Sequence, residues 1–211
     1  MLGVPAPLLI ARGFIDDKYH FDYLITEYIN GVEFSKAFKK MSISEKISIG
    51  QKLREITDRM NIKCEPFNNI DVVNDKNRWT RWDKYPDSFK AEREEYIKIR
   101  DYSDKVFVHG DIFGDNIILT KDGGIYIIDF ADAVLAPIFY EHTLIAADNL
   151  DRAFLNGYFG DYSVNELAEL CFDGLLIHDF GGDIVAEHMG KPYEFKNLDD
   201  LRKRLRQKIG F

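Results

Sequence analysis

His109-Gly110-Asp111-Ile112-Phe113-Gly114-Asp115-Asn116 leads into two short apolar runs, Ile117-Ile118-Leu119 and Ile125-Tyr126-Ile127-Ile128, the second of which ends on Asp129-Phe130. Between the runs lies Lys121-Asp122-Gly123-Gly124. Asp-Gly flanked by β-branched residues is a strong hairpin signal, because glycine supplies the positive φ that a tight turn needs. A turn symmetric about Asp122-Gly123 sets Lys121 against Gly124 and Asn116 against Asp129, and a four-residue loop from Lys121 to Gly124 gives the same register. Directly opposed residues hold their Cβ atoms roughly 4.5–5.5 Å apart. An amide oxygen and a carboxylate are thus expected to meet at the open end of the hairpin. Both are hard donors of the kind that Mg²⁺ prefers, and Mg²⁺ completes its shell with water and phosphate oxygens. Asp111, in the loop that enters the hairpin, is placed to orient a hydroxyl and accept its proton.

Outward from this centre the pattern is strands first, then helices. Val4-Pro5-Ala6-Pro7 forces an extended approach. Leu8 to Phe14 reads as a strand, Asp16-Asp17-Lys18 as a turn, and Phe21 to Ile29 as a second strand that Asn30-Gly31 ends. Phe34 to Lys40 reads as a short helix. Ser42 and Glu45 have capping-box spacing and precede Ile49, Leu53, Ile56 and Met60 at helical period. Cys64 to Pro86 is irregular and polar, with Trp79 and Trp82 close together, and a charged helix runs from Asp87 to about Arg100. Val106-Phe107-Val108 is a short strand. Beyond Pro137 the chain reads as helical, with a second capping box at Ser163 and Glu166 and a final amphipathic helix marked by Leu198, Leu201 and Leu205. The class is α+β.

Composition narrows the partners. The 211 residues carry a net charge of −8 and are 45% hydrophobic, which supports a sizeable core and argues against nucleic acid or an anionic membrane surface. Cys64 and Cys171 show neither metal spacing nor a disulfide framework, so a reducing compartment is expected. The first residues lack the basic stretch of a signal peptide, and no apolar run is long enough to span a bilayer. The expected location is cytoplasmic. His178 and His188 lack metal spacing. Asp173, Asp179, Asp183 and Glu187 read more simply as solvated acidic surface than as a cation pocket, and Trp79 and Trp82 as core or loop anchors.

Asp-x-x-x-x-Asn followed, after a hairpin, by a second aspartate is the protein-kinase arrangement, in which the protein contributes positioning and charge stabilisation to phosphoryl transfer. With His-Gly-Asp at residues 109–111, Ile127-Ile128-Asp129-Phe130, and Ala131 where protein kinases have glycine, the sequence resembles the aminoglycoside-phosphotransferase and choline-kinase family. Phe21 to Gly31 is similar to that family's hinge strand. Ala136-Pro137-Ile138-Phe139-Tyr140-Glu141 resembles the helix start after the metal loop, with glutamate where aspartate is usual. The resemblance implies a protein-kinase-like fold: a mainly helical C-lobe with a catalytic-loop hairpin at 32–211, and remnant N-lobe strands with the hinge at 1–31. It implies Asp111 as catalytic base, Asn116 and Asp129 on Mg²⁺, and the backbone at Glu27 and Ile29 on the purine of ATP or GTP. His109 is then structural, holding the catalytic loop. The acceptor would be a hydroxyl of an aminoglycoside, a choline-like amine or a sugar.

The resemblance also implies a phosphate-covering glycine-rich loop and a phosphate-pairing lysine ahead of Leu8, where only Met1 to Pro7 stand. Lys18 lies in a turn and does not fit. The alternative to an enzyme is therefore a truncated, non-catalytic kinase-like module that binds a ligand or partner. A two-stranded ribbon with a free edge is marginal by itself. It is expected to be mobile, or covered by a second copy of the chain in a homodimer.

Overall fold

The computed structural model describes residues 3–210 except Phe113 and Asp161, and leaves out the side chains of residues 148 and 149. Strands β1 (Leu9–Asp16) and β2 (His20–Thr26) form an antiparallel ribbon. They pair Asp16 with His20 and Ile15 with Phe21. Every described residue of β2 is exposed, and in β1 only Gly13 is half-buried. The second strand ends three residues earlier than the apolar run suggested. The chain then re-enters a sheet at β3 (Gly31–Glu33), an element that the sequence pattern did not show.

Strand β3 pairs with β5 (Ile117–Thr120), which pairs with β6 (Ile125–Ile127). Strands β4 (Val106–Val108) and β7 (Val134–Ala136) form a third small sheet, and β7 also went unread. The approach segment is tied to this centre, since Ile127 N–H donates to Pro5 O at 2.9 Å.

The hairpin register differs from the expected one. Ile117 opposes Ile127, Ile118 opposes Tyr126 and Leu119 opposes Ile125. Continuing the ladder sets Thr120 against Gly124 and Asn116 against Ile128, with Ile128 N–H donating to Asn116 O at 3.0 Å. The loop is three residues, 121–123, closed by Gly123 in the left-handed region at φ 81°. Asn116 therefore does not face Asp129. A one-residue slip moves a side chain to the other face of a strand, so the ladder cannot be what brings these two groups together.

The helices are α1 (Phe34–Phe38), α2 (Ile43–Met60), α3 (Asp87–Lys98), α4 (Ile138–Asn149), α5 (Arg152–Phe159), α6 (Val164–Ile177), α7 (Gly181–Ile184) and α8 (Leu198–Ile209). A 3₁₀ segment, Lys76–Trp82, precedes α3. Both expected capping boxes form, Ser42 with Glu45 and Ser163 with Glu166, each satisfying orphan N–H groups at a helix start. Helix α4 is the central helix. Leu144, Ile145, Ala146 and Ala147 on it are at most 1% exposed. Helices α2 and α5 pack together, with Thr57 and Tyr158 hydroxyls 2.6 Å apart and Lys46 on Asp151 at 2.7 Å. Leu198, Leu201, Leu205 and Ile209 bury the inner face of α8, at about 2 kcal/mol for each side chain removed from water. The result is a helical body carrying two small sheets, with the exposed β1–β2 ribbon beside them.

Candidate functional site

The loop between β4 and β5 carries the candidate site, and three buried contacts fix its course. Gly110 sits at φ 81°, and a Cβ there would meet Asp132 O at 2.2 Å. Only glycine fits between the loop and the segment after β6. His109 is fully buried. Its Nε2–H donates to Ile128 O at 2.9 Å, and its Nδ1 accepts from Asp111 N–H at 3.3 Å. The ring therefore joins the loop of Asp111 to the segment of Asp129, which is the structural role the sequence suggested. Burial lowers its pKa, which favours the neutral ring that both bonds require.

The third contact is Glu141, 0% exposed, in the first turn of α4. Its Oε1 accepts from His109 N–H and its Oε2 from Gly110 N–H, both at 3.0 Å, and Asn61 Nδ2 reaches Oε1 at 3.5 Å. A carboxylate spans the two backbone donors, and burial still pushes its pKa up to about 7. The sequence reading registered Glu141 only as a departure from a motif. The available signal was a single acid inside the apolar run Ile138 to Ala147.

Held this way, Asp111 is bonded to Asn116, whose Nδ2 donates to Asp111 O at 2.7 Å and to Asp111 Oδ2 at 3.1 Å. Burial and then the neighbouring Asp132 raise the Asp111 pKa to about 6, with Asp115 and Asp129 adding to the repulsion. Asp129 lies beyond the end of β6 in the left-handed region, at φ 59°. The structure thus groups Asp111, Asn116 and Asp129 with two carboxylates the motif analysis did not weigh, Asp115 and Asp132. None of the four aspartates has a lysine or arginine partner among the described residues. No group of three or more His, Cys, Asp or Glu side chains among those residues could hold a metal ion by itself. Phe113 lies outside the described residues.

At the other end of the expected site, Glu27 N–H is taken by Leu8 O at 2.8 Å, while no described backbone group engages Glu27 O or Ile29 N–H. Ile29 is half-buried and Tyr28 is exposed. Trp82 is core and Trp79 half-buried, in line with anchoring. Three of the acidic residues are paired: Asp173 with Tyr96 at 2.6 Å, Asp179 with Arg78 at 3.2 Å, and Asp183 with Arg81 and Lys84. That suits a charged surface better than a pocket for a cation. His178 is buried and stacked on Tyr140, with centroids 3.9 Å apart.

Residues 1–172 match the phosphotransferase enzyme family, APH. The chain belongs to this family. The structural neighbours of this family member agree in fold. Choline kinase LicA from Streptococcus pneumoniae matches 100% of this chain and 76% of its own, at 14% identity and a TM-score of 0.56. Aminoglycoside phosphotransferase APH(4)-Ia, in ternary complex with ADP and hygromycin B, matches 99% and 77%, at 16% identity and 0.58. Amicoumacin kinase hAmiN, in complex with AMP-PNP, Ca²⁺ and Ami, matches 98% and 73%, at 14% identity and 0.55. No curated protein matches the sequence. The fold is therefore the protein-kinase-like one that the resemblance implied. No helix among the described residues is long and apolar enough to cross a membrane.

Proposed function

We propose that this family member moves the γ-phosphate of a nucleoside triphosphate to a hydroxyl of a small molecule. The observation that carries the proposal is the uncompensated carboxylate group around Asp111. Such a group of like charges is costly without a cation. A divalent ion fits the donor set, since Mg²⁺ takes one or two protein oxygens and fills its shell with phosphate and water. Asn116 and Asp129 would hold it, and when bound it would neutralise charge on the transferring phosphate. The neighbours' complexes with ADP and with AMP-PNP and Ca²⁺ support a nucleotide and a divalent ion here.

The chain's own groups then divide the work. Asp111 orients the acceptor hydroxyl and takes its proton. A raised pKa brings a carboxylate nearer the operating pH of a general base. Asn116 uses its amide N–H groups on Asp111, which leaves its Oδ1 without a described protein partner. Glu141 and His109 hold the loop that presents Asp111. The carbonyl of Glu27 and the N–H of Ile29 have no backbone partner among the described residues and would receive the purine. On this reading residues 1–31 form the nucleotide-facing part and 32–211 the catalytic body, in a cytoplasmic enzyme.

The test is phosphoryl transfer from ATP to a panel of aminoglycosides, choline, ethanolamine and sugars, comparing the parent with Asp111→Asn. In a chain that carries the phosphate-covering loop and the phosphate-pairing lysine as well, the expected result is turnover that falls by orders of magnitude in the variant while nucleotide affinity holds. Turnover near the parent rate in Asp111→Asn excludes Asp111 as the base.

A further inference from the structure

A cavity of about 620 Å³ lies at the start of β4 and is lined by none of Asp111, Asn116 and Asp129. Lys105, on its wall, and His109 are separated by the length of β4, roughly 13 Å at the rise of an extended strand. Its wall includes Trp79, Ile97 and Tyr102, and its rim includes Lys76, Lys98, Arg100 and Lys105. The volume lies within the range of small-molecule sites.

Behind this wall sits Arg93, 2% exposed. Its guanidinium stacks on Trp79 and Trp82, 4.7 and 5.0 Å from the ring centroids, and Nε donates to Leu176 O at 2.8 Å. No carboxylate of a described residue is in salt-bridge range of it, and its Nη2 has no hydrogen-bond partner among the described residues. Three neighbours share that condition: Trp79 Nε1, Trp82 Nε1 and the hydroxyl of Tyr102, a residue 8% exposed. Buried polar groups are nearly always bonded, and a buried charge without a partner is costly. Four unpartnered donors, one of them on an uncompensated cation, are therefore grouped in and behind a single cavity wall.

The rim points the same way. Lys76 has Glu94 at 3.7 Å, Lys98 has Glu95 at 3.6 Å, Arg100 has Asp173 at 3.7 Å and Lys105 has Asp71 at 3.8 Å. These are loose pairs at the surface, where such contacts contribute little. They leave the cations available to a ligand. Glu94 and Glu95 also line the cavity, so its lining remains cationic in a chain whose net charge is −8.

We infer that this cavity is a binding site for a small organic oxyanion, a phosphate or carboxylate on an apolar or aromatic body. The body lies against Trp79 and Ile97. The anionic group draws on the rim cations, the Tyr102 hydroxyl and the field of Arg93. This does not rest on the phosphotransfer reading.

The chain's two tryptophans both flank Arg93, so their fluorescence reports the site directly. Phenyl phosphate and benzoate separate the two oxyanion classes, with sodium chloride at matched ionic strength and benzyl alcohol as controls. At least one of the two anions should give a saturable change that neither control gives. Tyr102→Phe keeps the shape and removes the hydroxyl, and should weaken binding roughly tenfold to a hundredfold, the worth of one hydrogen bond to a charged group. Lys105→Ala, at the surface, tests the rim should Tyr102→Phe fail to fold, and should weaken binding severalfold. Asp129→Asn should leave the response unchanged. No saturable change, a matching response to either control, or full affinity in a folded Tyr102→Phe or in Lys105→Ala would overturn the assignment.

Discussion

Gly110→Ala should be among the most damaging small substitutions in the chain, and Gly123→Ala supplies its control. Both glycines sit at φ 81°, so each alanine meets the same backbone strain, about 1–2 kcal/mol. Their surroundings differ. At Gly123 the nearest atom to an added Cβ is Lys52 Nζ at 3.9 Å, in ordinary contact, whereas at Gly110 it is Asp132 O at 2.2 Å. Carbon and oxygen approach no closer than about 3.3 Å even in favourable contacts. The backbone at Asp132, or the loop itself, must therefore move by about 1 Å. Overpacking of that kind costs about 1–3 kcal/mol, giving about 2–5 kcal/mol at Gly110 against about 1–2 at Gly123. For a domain of this size the Gly110 change lowers the melting temperature by about 5–15 °C. Differential scanning calorimetry of the two variants beside the parent measures both losses. Equal losses would refute the claim that the loop of Asp111 is wedged against the segment after β6.

Other outcomes follow from the same geometry. Glu141→Ala leaves His109 N–H and Gly110 N–H buried without acceptors and should cost about 3 kcal/mol or more in urea unfolding; a loss under about 1 kcal/mol would mean that Glu141 does not clamp the loop. His142 is 2% exposed with both ring nitrogens unpartnered among the described residues, and burial lowers its pKa to about 4 from 6.5. The folded value lies below the unfolded one, so this contribution is present above about pH 6.5 and lost as pH falls towards 4, by at most about 3 kcal/mol. Stability measured across that range should therefore fall more steeply in the parent than in His142→Phe, and parallel curves would contradict it. These 211 residues contain no glycine-rich loop or phosphate-pairing lysine, so calorimetric titration with ATP and Mg²⁺ should show weak binding; micromolar affinity would show that the site needs neither.

The parts of the fold legible in the sequence were those set by local chemistry. The capping boxes at Ser42 and Ser163, the apolar stripe of α8 and the hairpin around Gly123 all depend on neighbours a few residues apart. Strands β3 (Gly31-Val32-Glu33) and β7 (Val134-Leu135-Ala136) were missed because neither short stretch carries the continuous β-branched and aromatic run that marked Val106-Phe107-Val108, and each pairs with a segment distant in sequence. The hairpin existed where expected, but its register did not, because a three-residue loop and a symmetric turn share the same Asp-Gly signal. The motif drew attention to Asp111, Asn116 and Asp129. It could not show that Asp132 is the charge with the largest effect on Asp111, or that Glu141 anchors the loop from another helix. Those contacts arise from tertiary packing, which spacing does not encode.

The central claim is that Asn116 and Asp129 hold one divalent ion beside Asp111. Manganese titration in the presence of ADP, followed by electron paramagnetic resonance, tests it without requiring turnover. The account predicts saturable binding of one ion per chain, weakened by roughly tenfold or more in Asp129→Asn and in Asn116→Ala, about 1.4 kcal/mol per decade, and retained in Asp111→Asn. Binding in Asp129→Asn and Asn116→Ala equal to that of the parent would contradict it.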